Sequence, residues 1–249
     1  MESEYKKESP SKKIARKTVY KELEAVCGRQ RFVKGPHLVI AGSEGGDVSV
    51  LLGMGVDPSG IYAVDIDKHA LAAAKDRFRD WGVNFKLVSF SDAAKAFGIE
   101  EFLTAFIDMC SELRNDHISQ VMRLRAQYKV YAFACVRDKG LVGTFVHGVD
   151  PSKMQVYAAP RLQYLKTRGF KVGLSYTYVS RTLTNKGTPM CIALASNVVR
   201  SSAIVHLNWE LRDLDKALLS PAKETYLLYN VRRQAAAAKK AWRTRRKKR

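Results

Sequence analysis

"HLVIAGSEGGDVSVLLGMG", residues 37–55, is the stretch from which the fold can be worked out. An apolar run at 37–41 leads into a turn rich in glycine, and 48–55 then has the composition of a helix. Glycine lets a backbone turn tightly and approach a ligand, and the first N–H groups of a following helix favour negative charge. The stretch therefore predicts a strand, a turn and a helix. Because many strand-to-helix turns contain glycine, this pattern alone leaves ligand binding open.

The same alternation continues along the chain. The predicted strands are 37–41, 61–67, 84–90, 102–109 and 129–136, and the predicted helices are 48–55, 68–82, a short segment from Asp92, 116–128 and 159–169. Parallel strands need crossover connections, usually helices, between them. Five such alternations predict a parallel sheet with helices on both faces.

The region after residue 169 has a different pattern. Residues 170–182 and 188–197 read as long strands, and the five residues "LTNKG" between them leave no room for a helix. This spacing predicts an antiparallel hairpin. The fold class expected is α/β, with a doubly wound, mostly parallel sheet of seven strands whose last strand is antiparallel.

Both ends of the chain are predicted to be extensions of this domain. Residues 1–17 are charged and Ser-rich, which predicts a mobile segment, and Thr18–Gly28 reads as a short amphipathic helix. Residues 201–249 read as helical. We therefore expect an N-terminal extension at 1–33, an α/β domain at 34–200 and a helical C-terminal extension with a basic tail at 201–249.

Positive charge is concentrated in that tail. The chain has 43 Lys and Arg against 24 Asp and Glu, a formal charge of +19, and residues 231–249 contain many of these basic residues and no carboxylate. Such a tail favours a polyanionic partner, whose phosphates the cations neutralise while an indole stacks on a base. The predicted nucleic-acid contacts are Arg232, Arg233, Lys239, Lys240, Trp242, Arg243, Arg245 and Arg246.

Further basic residues precede the fold. They are Lys12, Lys13, Arg16, Lys17, Arg29, Arg31 and Lys34. RNA is favoured over DNA, although no base-reading motif is visible. A solvated tail that aids solubility and a nuclear-targeting signal are the alternatives, and a protein partner is also open.

Composition argues against several other classes. Cys27, Cys110, Cys135 and Cys191 are scattered without a CxxC pair, so they read as free thiols of a reducing compartment. The His residues are equally dispersed, which predicts no metal site. No run approaches the about 20 apolar residues of a membrane span, and the N-terminus lacks the apolar core of a secretion signal. We expect a soluble intracellular protein of the cytoplasm or nucleus.

Acidic residues stand at the ends of three predicted strands. Asp65 and Asp67 end the second, Asp92 follows the third, and Asp108 ends the fourth. In a doubly wound sheet the ligand lies at the carboxyl ends of the strands, beside the first strand. A carboxylate at the end of the second strand can accept hydrogen bonds from both hydroxyls of a ribose. Each of these residues alone could instead cap a helix.

"VIAGSEGGD", "IYAVDIDKHALAAAKDR", "LVSFSDAA", "FIDM" and the terminal hairpin together resemble the class I S-adenosylmethionine-dependent methyltransferases, over about residues 34–197. The resemblance implies a Rossmann-like fold and S-adenosyl-L-methionine as cofactor. It makes residues 42–46 the loop around the methionine part, Asp65 the ribose ligand, Asp92 the adenine-amino ligand, and Asp108 a catalytic candidate near the sulfonium or the substrate. The full set of implied cofactor-binding residues is Gly42, Ser43, Glu44, Gly45, Gly46, Asp65, Ile66, Asp92, Ala93 and Asp108.

The glycine turn departs from the family pattern. The usual turn is (D/E)xGxGxG, whereas this chain has Ile40 at the acidic position and Glu44 where the middle glycine belongs. The Glu44 side chain could crowd the methionine part, or its charge could help to bind the ammonium group. The GxGxxG spacing of nicotinamide enzymes is not met either.

The methyl acceptor is not identified by any motif. After the fourth strand "DMCSEL" lacks the (D/N)PP(Y/F) turn of amino methyltransferases, and Cys110 lacks the preceding proline of cytosine-C5 enzymes. Lys34 and Asp108 could begin a Lys-Asp-Lys-Glu set for ribose 2′-O transfer, but its final carboxylate is missing from the expected region.

The leading interpretation is a methyltransferase acting on nucleic acid. The alternative is a methyltransferase-like nucleic-acid-binding or assembly subunit without catalysis, and enzymes for small molecules or proteins, and nucleotide-binding oxidoreductases, rank lower.

Overall fold

The structure, a computed structural model, describes residues 10–42, 44–108, 115–134, 154–169, 171–180, 188–195 and 204–206. Its residues form two compact units. One holds Arg16–Phe133, and the other holds the residues from Ala134 onward together with the first residues of the N-terminal helix. The predicted boundaries of the extensions, after residues 33 and 200, stay predictions.

The first unit alternates strands and helices as predicted. After the N-terminal helices come β1 (His37–Ile40), α3 (Gly46–Gly53), β2 (Ile61–Asp65), α4 (Lys68–Arg77), β3 (Asn84–Leu87), α5 (Ala93–Phe97), β4 (Phe102–Asp108), α6 (Asn115–Arg123) and β5 (Ala126–Ala134). All neighbouring strands of this unit pair in parallel, in the order β3-β2-β1-β4-β5. The fold is Rossmann-like, and the chain reverses its direction of winding beside β1, because β2 and β4 both pair with it.

The centre of this sheet is the core of the unit. All seven residues of β4 are buried, as expected for a parallel strand covered on both faces. β4 lies between β1 and β5, so its end and that of β1 are enclosed by neighbouring strands. The mostly apolar strand β4 therefore lies at the centre of the sheet and positions Asp108 at its end.

Two helices precede the sheet, α1 (Pro10–Cys27) and α2 (Arg29–Lys34). Val19, Tyr20 and Leu23 are fully buried, which gives α1 one apolar face with helical spacing. The Tyr20 ring stacks on Phe106 of β4 with centroids 5.1 Å apart. The prediction that residues 1–17 are mobile is wrong for 10–17, because the same face extends back by one turn to a buried Arg16.

A buried histidine opens β1. The Nε2–H of His37 donates to the Phe32 carbonyl oxygen at 2.6 Å, and the Thr104 hydroxyl donates to Nδ1 at 2.7 Å. The carbonyl can only accept, so Nε2 carries a proton, and Nδ1 of the neutral ring is left to accept from Thr104. Burial lowers the pKa of His37 to about 4. His37 is thus a satisfied core histidine.

The second unit contains α7 (Met154–Thr167), β6 (Val172–Ser180), β7 (Thr188–Ala195) and β8 (Ile204–His206). β6 and β7 are antiparallel and pair from Ser180↔Thr188 to Val172↔Ala195, which confirms the predicted hairpin. β8 pairs in parallel with β6 and was not predicted, because "IVH" is too short to show an alternating pattern. The predicted count of seven strands is therefore one too low for the described residues, and 204–206 is not helical.

Several predicted boundaries also shift. β5 begins at Ala126, although the sequence assigned 126–128 to the preceding helix. The reason is that the Phe102 N–H already donates to the Arg125 carbonyl, which starts the pairing with β4. α7 begins at Met154 and not at Ala159.

The remaining predictions concern the cysteines and membrane-spanning helices. Cys27 and Cys191 are free thiols, whereas Cys110 and Cys135 lie outside the described residues. No helix in the described part of the chain is long and apolar enough to cross a bilayer.

Candidate functional site

The glycine turn between β1 and α3 depends on two left-handed glycines. Gly42 and Gly45 both have φ of 55°, a region that L-residues with a side chain rarely adopt. A Cβ on Gly45 would clash with Cε2 of Phe78, at the end of α4, whereas no described atom lies within 4 Å of a Cβ built on Gly42. Gly45 is thus required by packing, and Gly42 borders open space.

The other members of the predicted loop differ in what the structure says of them. Gly46 begins α3 and Glu44 is partly buried. Ser43 lies outside the described residues.

Asp65, at the end of β2, holds the start of this turn. Its Oδ2 accepts the Gly42 N–H at 2.9 Å, and its Oδ1 accepts the Asp67 N–H at 2.9 Å. Each carboxylate oxygen has two acceptor positions, so both oxygens can accept a second hydrogen bond. The side chain is half-buried. The structure therefore places Asp65 where a ligand at the turn could donate two hydroxyls to it.

Asp67, two residues further on, has the helix-capping role instead. Its Oδ1 accepts from the N–H groups of His69 and Ala70 at the start of α4. These bonds, the one from His69 first, lower the pKa of Asp67. Between the two carboxylates, Ile66 is 78% exposed, although a large aliphatic side chain is usually covered.

Asp92 follows β3 and precedes α5. Its Oδ2 accepts from the Ser89 hydroxyl at 2.7 Å, and its side chain makes no capping bond to α5. The helix-cap explanation therefore does not account for Asp92. The carboxylate is exposed, while the neighbouring Ala93 is fully buried.

Asp108, at the end of β4, lies in an unpredicted buried cluster. Nη2 of Arg16, on α1, donates to Asp108 Oδ2 at 3.1 Å, and Nε of the same guanidinium lies 2.7 Å from Asp47 Oδ1. Arg16, Asp47 and Asp108 are 5%, 2% and 9% exposed. We call these three residues the Arg16 cluster. Because its guanidinium is buried, Arg16 cannot contact phosphate, and its assignment to the basic surface is wrong.

Tyr20 completes the cluster from α1. It lies one helical turn after Arg16 and donates its hydroxyl to Asp47 Oδ1 at 3.2 Å. Burial, and then the negative charge of Asp47, raise the pKa of Tyr20 well above its usual value. The phenol therefore stays protonated and remains a donor. The signal that could have revealed Arg16 is its spacing from Val19, Tyr20 and Leu23, which puts a charged residue on an apolar helix face.

Strand order brings the predicted carboxylates to one edge. β2 and β4 pair with β1 on its two sides, and Asp65 and Asp108 are their last residues. Neighbouring strands lie about 4.8 Å apart, so these two strand ends are about 10 Å apart. Asp92 follows β3, on the far side of β2. The glycine turn leaves β1 between Asp65 and Asp108.

Some predicted site residues lie outside the described part of the chain. The predicted nucleic-acid contacts between Arg232 and Arg246 are outside the described residues. Among the residues that are described, no group of three or more His, Cys, Asp or Glu side chains could hold a metal ion.

Comparison with known proteins supports the fold and no more. No family model and no curated protein matches the sequence. The chain is similar to "Putative hemolysin from Streptococcus thermophilus" (TM-score 0.52, 16% identity, 85% of this chain and 74% of that one). It is also similar to a "putative hemolysin from Lactococcus lactis" (TM-score 0.50, 16% identity, 83% and 97%). A magnesium protoporphyrin IX methyltransferase from Synechocystis, at a TM-score of 0.46, 12% identity and 74% and 80% coverage, is too distant to support a conclusion.

Proposed function

We propose that this chain is an S-adenosylmethionine-dependent methyltransferase that acts on nucleic acid, with RNA favoured. One observation carries the proposal. Asp65 bonds to the Gly42 N–H of the turn while both of its oxygens keep an acceptor position, and the space beside Gly42 is open among the described residues. That combination suits a ligand with a vicinal diol and an extended arm.

The residues present fit the cofactor in chemical type. Asp65 would accept from both ribose hydroxyls, and exposed Ile66 would cover an apolar face of the adenosine. Asp92, whose carboxylate is exposed and does not cap α5, would accept from the adenine amino group. The N–H groups of the turn would face the carboxylate of the methionine part.

When bound, the cofactor would supply an electrophilic methyl group carried on a cationic sulfur. The chain's own part in such an in-line displacement is mainly to position the acceptor. Asp108 lies at the end of β4 beside the turn, but Arg16 already holds one of its oxygens. We therefore propose that Asp108 contributes negative charge and positioning near the reacting atoms.

The proposed substrate class rests on charge. Residues 231–249 hold Lys and Arg around Trp242 without a carboxylate, a composition that suits phosphates and an exposed base. In the described part of the chain, exposed Arg29, Arg31 and Lys34 give α2 positive charge, although Arg29 pairs with Glu24 at 2.7 Å.

A second candidate is a methyltransferase-like protein that binds nucleic acid without catalysis. Two observations favour it. Arg16 brings a positive charge against Asp108, close to where a sulfonium would lie, and Glu44 replaces a glycine of the usual turn.

Calorimetry with S-adenosylhomocysteine tests the cofactor site. We expect binding by the wild type and a loss of affinity of about 100-fold or more in Asp65→Ala, because two hydrogen bonds to a charged group are removed. Asp67→Ala is the matched control, since it removes a nearby carboxylate that only caps α4. Its affinity should change by no more than about threefold. An equal loss in both variants, or no binding by the wild type, would contradict the proposed site.

Transfer of a tritiated methyl group to total RNA, DNA and protein tests the reaction. We expect label in RNA. Deletion of residues 231–249 should weaken RNA binding and flatten its dependence on salt, while the affinity for S-adenosylhomocysteine stays unchanged. Cofactor binding without label in any pool would favour the second candidate, and unchanged RNA affinity after the deletion would remove the tail from the substrate contact.

A further inference from the structure

The exposed cations of α2 lie at the opposite edge of the sheet from the proposed cofactor site. The strands of the first unit are parallel, so their first residues share one edge, which we call the amino edge. α2 ends at Lys34, three residues before β1 begins, and Arg125 directly precedes β5. β4 runs from Phe102, which pairs with the start of β5, to Asp108, a span of about 20 Å. Cations at the amino edge are therefore about 20 Å from the proposed site.

One guanidinium of this edge is held in place by a neutral partner. Nη2 of Arg31 donates to Oε1 of Gln127 at 2.6 Å, and Nε2 of Gln127 donates to Oε2 of Glu101 at 2.9 Å. An amide orients the guanidinium without cancelling its charge, and a guanidinium has five N–H donors, so Arg31 keeps donors for a phosphate. Arg29, by contrast, pairs with the Glu24 carboxylate.

Two more cations lie close to Arg31. Lys34 follows it by three residues, which puts their Cβ atoms about 5–6 Å apart on one face of α2. Arg125 is two residues before Gln127, so the two Cα atoms lie within about 7 Å of each other. All three cations are exposed, and none of them forms an ion pair with a described carboxylate. We call Arg31, Lys34 and Arg125 the amino-edge patch.

The patch suits a phosphate backbone better than unpaired bases. Stacking of a base needs an exposed ring or apolar face, and in the described part of the chain the exposed large apolar side chains belong to the β2 and β3 side of the sheet: Ile66, Trp81 and Leu87. A double-stranded RNA stem keeps its bases inside and presents its phosphates, so recognition of a stem depends mainly on backbone contacts.

We propose that the amino-edge patch binds the phosphates of a double-stranded RNA stem whose end reaches the proposed cofactor site. This inference rests on the proposed function. A stem that contacts both edges spans at least about 20 Å, which corresponds to about seven base pairs. The substrate is therefore a structured RNA, not a nucleotide or a short single strand, and the patch acts far from the reacting atoms.

Fluorescence anisotropy with labelled hairpin RNAs tests the patch without requiring methyl transfer. The hairpins differ only in stem length, about 4, 8, 12 and 16 base pairs. In Arg31→Gln/Arg125→Gln the affinity for the longest stem should fall about tenfold, and the slope of log affinity against log salt should fall by about 2, because two phosphate contacts are lost. For the shortest stem, which cannot reach both edges, the loss should be about twofold or less. Lys75→Gln/Lys95→Gln removes the same net charge from exposed positions on α4 and α5, and as the matched control it should change affinity by no more than about threefold.

Equal losses in the two double variants, or a loss that does not depend on stem length, would overturn the inference. Unchanged RNA affinity together with patch-dependent binding of phosphatidylcholine vesicles that contain about 30% phosphatidylserine would also overturn it, and would assign the patch to a membrane surface. If Arg31→Gln/Arg125→Gln does not fold, Lys34→Gln should still lower the salt slope by about 1, and an unchanged slope would count against the patch. The affinity for S-adenosylhomocysteine should stay unchanged in all these variants. A wild type that does not bind S-adenosylhomocysteine contradicts the proposed function, whereas the anisotropy result decides the role of the patch in either case.

Discussion

The ends of β2 and β4 flank the same strand and carry the same side chain, yet the two aspartates have different environments. Asp65 is half-buried and accepts backbone N–H groups, including that of Gly42. Asp108 is buried and accepts from a guanidinium of α1. Asp65 is therefore able to accept hydrogen bonds from a ligand, whereas Asp108 is part of a buried charged cluster.

The turn between them is attached to both. Its first residue, Gly42, donates to Asp65, and Asp47, just after its last glycine, contacts the guanidinium that also holds Asp108. The conformation of the turn is therefore determined from β2 at its start and from α1 and β4 at its end. Substitutions at Asp65 and at Arg16 should therefore change stability and ligand binding by different amounts.

The largest effect is expected at the buried end. Arg16→Met should lower the free energy of unfolding by about 4 kcal/mol, because two buried carboxylates lose the guanidinium that contacts both of them. Asp65→Asn should cost only about 1 kcal/mol, since the half-buried side chain keeps one acceptor oxygen. Denaturation by urea measures both.

Lys13→Met is the control for Arg16→Met. Lys13 is exposed on the same helix, so its replacement should change stability by about 0.5 kcal/mol or less. If Arg16→Met cost no more than Asp65→Asn, the proposed contrast between a charged core and an accessible carboxylate would be wrong.

The contrast between these ends was only half visible in the sequence. Asp65 and Asp92 could be placed at one edge because each follows an apolar run of strand length, and parallel strands end at the same edge. Spacing alone could not decide between Asp65 and Asp67, since which of two nearby carboxylates caps α4 depends on the helix start, and the choice of Asp65 came from the family resemblance.

Arg16 was missed for a different reason. It lies in a stretch rich in Lys and Ser that reads as solvated, and its partner Asp108 is 92 residues away along the chain. Local patterns contain no information about such a pair. The strands show the same limit, because the long apolar runs were recognised whereas the three residues of β8 became a strand only through pairing with β6.

The buried His37 should make stability depend on pH separately from the two strand-end carboxylates. Its pKa in the folded protein is about 4, against about 6.5 when unfolded, so the folded state binds fewer protons between these values. Stability should therefore be fully present above pH 6.5 and fall by about 3 kcal/mol as the pH drops to 4. Urea unfolding at a series of pH values measures this loss.

His37→Gln should remove most of this pH dependence, because glutamine can still donate to the Phe32 carbonyl and accept from Thr104 but does not titrate. His69→Gln, at an exposed position, should leave the dependence unchanged. A dependence that persists in His37→Gln would assign the acid sensitivity to other groups, including the carboxylates at the strand ends.

The last effect, about as large as that of His37, concerns the turn itself. Gly45→Ala should cost about 3 kcal/mol, since a left-handed conformation disfavours a side chain and the new methyl meets the Phe78 ring. Gly42→Ala has the same φ but no described neighbour within 4 Å, so only the conformational cost of about 1 kcal/mol remains.

For cofactor affinity the order of the two variants should reverse, because Gly42 borders the open space and donates to Asp65. The double variant Gly45→Ala/Phe78→Leu should recover part of the lost stability, as residues in contact do not act additively. Urea unfolding of these variants, together with calorimetry of the two single variants, tests the reversal. If Gly45→Ala reduced affinity more than Gly42→Ala, the open side of the turn would not be the binding side.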